Sequence, residues 1–267
     1  MAICKEKLVN YLEGIGYNLV RLPRTNIQNL DIIIKNENSY ENLGSLSRVW
    51  SSSQTVPQPK TDGTAANIQQ KQTSLIDVSV GLKALEGIFS GMGFAVPELN
   101  LAFSNVKKMT IKFNNVTVST IAPFEIGAYL KSTDSSKLDV DNPFVKYFLD
   151  DECPIYIISE IIKSNSITID AYLDSKTSGS LDIGILQNAI KSSPKVSFEK
   201  ESDSSITYEG NEQLVFGFKC YQIGYFESGW GIEGMGDGVF LSIGSHSAVP
   251  KTVKLEEFRK VDIKDKM

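Results

Sequence analysis

His246 is the chain's single histidine, and a serine or cysteine hydrolase built from this sequence would have to rest its general base on it. It lies in a Ser-His-Ser stretch near the C-terminus, whereas a general base needs a supported imidazole, which small residues supply poorly. The hydrolase reading that remains pairs Cys153 or Cys220 with His246, and it requires His246→Ala to abolish activity. One histidine and three scattered cysteines, Cys4, Cys153 and Cys220, show no zinc-ligand spacing, so no metal or dissociable cofactor is expected. The run Gly229-Trp230-Gly231-Ile232-Glu233-Gly234 matches G-x-G-x-x-G literally. A dinucleotide site needs a helix opening at those glycines, but Gly236, Gly238 and then Val239-Phe240-Leu241 follow, which predicts a glycine-rich β-hairpin connection instead. Asp150-Asp151-Glu152 reads as a solvated helix end, because adjacent carboxylates point in different directions.

Modification chemistry leaves one candidate. Ala2 excludes N-myristoylation, which requires glycine there. Asn115-Val116-Thr117 is a glycosylation sequon without meaning in a cytosolic chain. Cys4 sits beside Lys5 and Lys7, which ease thiolate formation, and an acyl donor could reach it. From the residues alone, an unmodified thiol is the simpler reading.

Composition bounds what these residues can serve. The 267 residues are 41% hydrophobic and 22% charged, enough for a sizeable core, and no composition break marks a linker. One body plus a tail is therefore expected. A formal charge of −5 argues against nucleic acid as partner, since phosphate neutralisation needs clustered Lys and Arg. Odd, distant cysteines and no apolar leader predict a reducing cytoplasmic compartment. Apolar runs such as residues 154–158 fall far short of the roughly 18 residues of a spanning helix. Any membrane crossing must use strands, and those must close into a barrel formed by many copies.

Periodicity then places the elements. Leu8, Leu12 and Ile15 predict a helix over residues 1–16. Strands are expected at 19–22 and 30–34, separated by Pro23-Arg24-Thr25-Asn26, and residues 51–72 read as a long polar loop. Ile76, Val78 and Val80 alternate with Asp77 and Ser79 as a strand, followed by a helix through Leu82, Leu85 and Phe89. Met109, Ile111 and Phe113 mark another strand that continues through Val116 and Val118 past a bulge or turn at Asn114-Asn115. Helices are expected at 124–131, 143–149 and 181–190, the second capped by Asn142 with Pro143 at its first position. Residues 155–162 and 167–173 flank Ser164-Asn165-Ser166, which predicts a hairpin there. Strands near Val196, Ile206, 215–226 and 239–243 complete an α+β fold with a twisted, mainly antiparallel central sheet and peripheral helices.

The stretch GYNLVRLPR at residues 16–24, followed by Ile27 and Leu30, resembles the N-terminal signature of bacterial gasdermins. Chain length, a cysteine at the fourth position and a short tail after the last strand agree with that resemblance. It implies a gasdermin N-domain-like body, residues 1–246, and a C-terminal autoinhibitory peptide, residues 247–267. It further implies a soluble cytoplasmic precursor, S-palmitoylated at Cys4, whose tail is removed by a caspase-like or trypsin-like protease. The released body would assemble as a large ring oligomer in the inner membrane, opening pores that kill the cell in anti-phage defence, with no enzymatic activity.

The residues make physical sense of that scheme. Gly244, Ser245, His246, Ser247, Ala248 and Lys251 lie in a run of small residues that suits a protease cleft. Val253, Leu255, Phe258 and Val261, with Ile263, can supply an apolar latch that holds only while covalently attached. Residues 251–267 carry six basic and four acidic side chains, so removing them leaves a more acidic body, and insertion would rely on apolar faces and the acyl chain. A first spanning hairpin would draw on residues 74–80 and 107–113, a second on 155–173. Ile76, Val78, Ile111, Phe113, Ile167, Ile169 and Leu173 would face lipid, with Asp77, Lys112, Thr168 and Asp170 toward the lumen. The alternative is a lipid- or protein-binding module of similar fold that never inserts.

Overall fold

Alternation of apolar and polar residues builds most of the strands in the computed structural model, which describes residues 17–36, 39–50, 55–64, 75–91, 99–133, 137–149, 153–175, 177–191, 196–226, 229–233 and 264–265. In chain order these are β1 (Asn18–Arg24), β2 (Asp31–Asn36), β3 (Ser39–Ser45), β4 (Lys60–Thr64), β5 (Ile76–Asp77), α1 (Val78–Gly91), α2 (Leu99–Ala102), β6 (Lys108–Asn114) and β7 (Thr117–Thr120). After them come α3 (Pro123–Ser132), β8 (Ile155–Tyr172), α4 (Ile183–Lys191), β9 (Val196–Ser202), β10 (Ser205–Phe226), β11 (Gly229–Ile232) and β12 (Lys264–Asp265). Among the described residues the strands hydrogen-bond in the order β1-β10-β8-β2-β3-β12, with β9 and β11 also on β10, β6 and β7 on β8, β5 on β6 and β4 on β7. The β2–β3, β2–β8, β5–β6, β6–β8, β9–β10 and β10–β11 ladders are antiparallel, and β3–β12 is parallel. The expected α+β class with a mainly antiparallel sheet is what the chain adopts.

Described residues within 1–26, 62–118 and 162–217 form one compact unit, and those within 27–61, 119–161 and 218–267 form another. Each has its own core. In the first, Ile111 and Phe113 of β6, Ile167 and Ile169 of β8, and Tyr208 and Phe216 of β10 pack with Leu85 and Phe89 of α1. In the second, Ile32 and Ile34 of β2 and Ile155 and Ile157 of β8 pack with Trp50, Ile126, Phe148 and Trp230. Because both units are assembled from interleaved segments, the division between them falls at no single point of the sequence.

Several expectations need correction. The strand at Ile76 stops after Asp77, and Val78 opens α1, because Val78 with Leu82, Leu85 and Phe89 also satisfies helical spacing on the core side. Residues 60–64 of the polar stretch form β4 on β7, an edge strand whose polar sequence gives no alternation signal. No chain reversal occurs at Ser164-Asn165-Ser166, where β8 runs through as one strand. There the Ser164 hydroxyl accepts the Ser166 N–H, and its single proton lies within reach of the carbonyls of Asn114 and Ser166, a local arrangement that mimics a turn without making one. The helix expected at 143–149 is a short 3₁₀ turn, Val145–Phe148, although the Asn142 Oδ1 does accept the Phe144 N–H at 3.1 Å. The strands expected near Ile206 and 215–226 are one 22-residue strand, β10. Asn115 has φ 51°, consistent with the expected break between β6 and β7. The helix expected over 1–16 and the strand over 239–243 lie outside the described residues.

Gly217 is where β10 most needs a bare backbone. A Cβ there would meet Ile162 Cδ1 at 2.8 Å and the Asn18 carbonyl oxygen at 3.4 Å. Ile162 is fully buried, so it would have to shift within a packed core. Gly217→Val is therefore expected to cost about 1–3 kcal/mol through overpacking, read as a lowered urea midpoint with unchanged slope.

Candidate functional site

Two adjacent strands of the first unit carry the pattern on which any membrane activity would depend. In the β6–β8 ladder Met109 pairs with Ala171, Ile111 with Ile169 and Phe113 with Ile167, and all six side chains are buried. The intervening pairs are Thr110 with Asp170, Lys112 with Thr168 and Asn114 with Ser166. Successive side chains of a strand point to opposite faces, so one face is apolar and the other polar along the whole ladder.

The polar face is knitted by hydroxyl and amide groups. Asp170 accepts from the hydroxyls of Thr110, at 3.3 Å, and Ser205. The Asn114 amide donates to the Thr168 hydroxyl at 2.8 Å, and the Thr168 and Thr207 hydroxyls lie 2.7 Å apart. Further along, the Thr117 hydroxyl donates to Gln213 Oε1 at 2.9 Å, and Lys108 pairs with Asp77. These groups hydrogen-bond one another or face solvent, and no imidazole stands among the described residues to make a nucleophile of any hydroxyl.

Placement of the individual residues is uneven. Ile76, Ile111, Phe113, Ile167 and Ile169 belong to one buried cluster, and Val78 packs against it from the first turn of α1. Leu173 stands apart, just beyond the end of β8 and 41% exposed. Cys220 is fully buried, and burial pushes its thiol pKa up, the reverse of what a nucleophile needs. Gly229 to Ile232 form β11 against β10 in place of a loop opening a helix, and Trp230 is buried there. Among the described residues no group of three or more His, Cys, Asp or Glu side chains is placed to hold a metal ion, and no helix is long and apolar enough to cross a membrane. Cys4, Gly244, Ser245, His246, Ser247, Ala248, Lys251, Val253, Leu255, Phe258 and Val261 lie outside the described residues, as do Asp150-Asp151-Glu152.

The C-terminal end supplies a contact that sequence reasoning missed. Lys264 and Asp265 form β12, which pairs in parallel with Glu41 and Asn42 of β3. β3 is well anchored for this purpose. The Asn42 amide donates to Asp31 Oδ2 at 2.9 Å, its Oδ1 accepts the Gly44 N–H at 2.7 Å, and Gly44 takes φ 89°. Two residues of so polar a run as Lys264-Asp265-Lys266 give no strand signal on their own.

Comparison with known proteins decides the family. The model of the Bacterial Gasdermin Family matches residues 20–237. Gasdermin bGSDM of a Vitiosangium species is 33% identical over 225 residues, covering 84% of this chain and 83% of that protein. The chain belongs to the bacterial gasdermin family. Gasdermin bGSDM of a Desulfuromonadales bacterium is 28% identical over 226 residues, covering 83% of both proteins. The solved structure of a bacterial gasdermin from Bradyrhizobium tropiciagri superposes with a TM-score of 0.64 at 18% identity, over 85% of this chain and 90% of that one, and so shares the fold. The resemblance seen in residues 16–30 thus extends over residues 20–237.

Proposed function

We propose that this gasdermin is the autoinhibited precursor of a membrane pore. The observation that carries the reading is the two-faced β6–β8 ladder, with an unbroken apolar side beside an unbroken polar one. In water the apolar side is satisfied by a protein core. In a closed transmembrane barrel the same side meets lipid, and the hydroxyl-rich side lines a water-filled lumen.

Strand lengths say what must change. A spanning strand needs about 9 to 11 residues. β8 with 18 residues and β10 with 22 already exceed that, and together they provide the second hairpin in place of a turn at Ser164. β5 with two residues and β6 with seven do not, so the first hairpin must recruit α1. The sequence of α1, VSVGLKALEGIFSG, carries three glycines and two β-branched valines, which weaken it as a helix and ease its conversion.

The tail is read as the latch. Cleavage among Gly244, Ser245, His246, Ser247, Ala248 and Lys251 by a caspase-like or trypsin-like protease would turn a tethered contact into a bimolecular one and so release β12 and the residues before it. Parallel addition of β12 to β3 supports a latch that closes a sheet edge. A palmitoyl group on Cys4 would assist attachment to the inner membrane, but a single acyl chain binds only marginally, with K of order 10⁴ M⁻¹ for myristoyl. On this reading the precursor resides in the cytoplasm and the assembled ring in the inner membrane, where opening it would kill the cell in anti-phage defence. The test is electron microscopy of phospholipid vesicles incubated with body trimmed after Ser247. Rings of many copies are expected, whereas a bound but unassembled layer would favour the non-inserting binding module.

A further inference from the structure

Three strands take successive stretches of β8. β2 pairs at Ile155 to Ile157, the residue after β7 donates its N–H from Ile121 to the Ser159 carbonyl at 2.8 Å, and β6 pairs from Ser166 to Tyr172. At the changeover between β2 and β7 the ladder forks, and one side chain fills the fork. The Asn29 amide donates to the carbonyl of Ser119 at 2.9 Å and to that of Ser159 at 2.8 Å. Its Oδ1 accepts the Ser119 hydroxyl at 2.7 Å. The next residue, Leu30, donates its N–H to the Ile158 carbonyl at 2.7 Å while holding φ 65°, a region L side chains seldom adopt, with its side chain buried.

One residue further along β7 and β8, and so on the opposite face, a second clamp ties the same two strands to β10. Thr120 donates its hydroxyl to Glu160 Oε2 at 3.0 Å, and Lys219 pairs with Glu160 Oε1 at 2.7 Å. Asn29 does more than cap a turn: it ties three chain segments with every hydrogen-bonding group of its carboxamide except one lone pair.

We propose that Asn29, with Ser119 and Ser159, is the pin that sets how readily β7 and β8 part from their soluble arrangement, and therefore the threshold for conversion to the pore. This rests on the pore-forming reading above. To lengthen β6 into a spanning strand, the β6–β7 segment must change its pairing with β8 at the fork, and the pin joins β7 to β8 through a side chain that belongs to neither. A turn held in a left-handed conformation by such contacts returns to an ordinary conformation once they are lost.

The test uses Asn29→Ala, Asn29→Asp, which keeps an acceptor for Ser119 but sets oxygen against two carbonyls, and the milder Ser119→Ala. Ile126→Val, in the core of the same unit, serves as a control chosen for comparable thermal loss. In the full-length chain without vesicles, amide exchange at Leu30 and Ile121 is expected to quicken about tenfold in the pin variants and not in the control. In the trimmed body with phospholipid vesicles, the lag before dye release is expected to shorten about tenfold, again not in the control. Unchanged exchange, or a lag that shortens equally in Ile126→Val, overturns the pin. A wild-type trimmed body that releases nothing overturns the pore reading and the pin together, whereas a leaking wild type with unaltered variant lag overturns the pin alone.

Discussion

Phe216→Ala is expected to lower the unfolding free energy by about 3–5 kcal/mol, enough to leave a chain of ordinary stability marginal. Phe216 lies on β10 and stacks on Phe113 of β6, with ring centroids 4.0 Å apart and planes within 5°. Both rings are buried in the core that also holds Ile111, Ile167 and Ile169. Truncation removes the transfer energy of a phenyl ring, leaves a cavity in a closely packed site, and forfeits a ring pair worth about 0.5–1.5 kcal/mol beyond its area. Urea unfolding followed by far-ultraviolet circular dichroism checks the value, and a loss below about 1 kcal/mol would mean that this core is not packed as described.

Deleting residues 264–267 from the full-length chain is expected to raise vesicle leakage by about tenfold or more without any protease. β12 pairs with the β3 edge in a parallel ladder of two residues; main-chain hydrogen bonds are worth about 0.5–1.5 kcal/mol net each, so two of them amount to about one decade in the latched population. Since the ladder uses main-chain groups, Lys264→Ala with Asp265→Ala should stay close to the wild type in a dye-release assay. A deletion as silent as full-length protein, or a double alanine variant as leaky as the deletion, would place the latch elsewhere.

How much of this was legible in the sequence depended on whether one periodicity dominated. Ile32, Ile33 and Ile34 of β2 form a β-branched run, Ile111 and Phe113 of β6 alternate with polar residues, and those strands fall where they were expected. Ile76-Asp77-Val78-Ser79-Val80 satisfies alternation and, with Leu82, Leu85 and Phe89, a helix as well; packing of the helical face on the core decided for α1 after two strand residues. Ser164-Asn165-Ser166 has turn composition, yet its hydroxyl bonds are met inside a continuous strand, a tertiary outcome that local propensity does not encode. The signature at residues 16–30 gave the family, and comparison over residues 20–237 bears it out. Asn29 lies between the signature's Ile27 and Leu30 and drew no reading of its own, because its two partner residues, Ser119 and Ser159, are 90 and 130 positions away. The β12 contact was hidden for the same reason, since nothing in Lys264 or Asp265 points to Glu41 and Asn42.

The most direct test of the whole account is release of an encapsulated dye from phospholipid vesicles, comparing the full-length chain with a body ending at Ser247. The account predicts rapid release by the trimmed body and only slow background release by the full-length chain. Vesicles that stay sealed in the presence of folded, trimmed protein would contradict it.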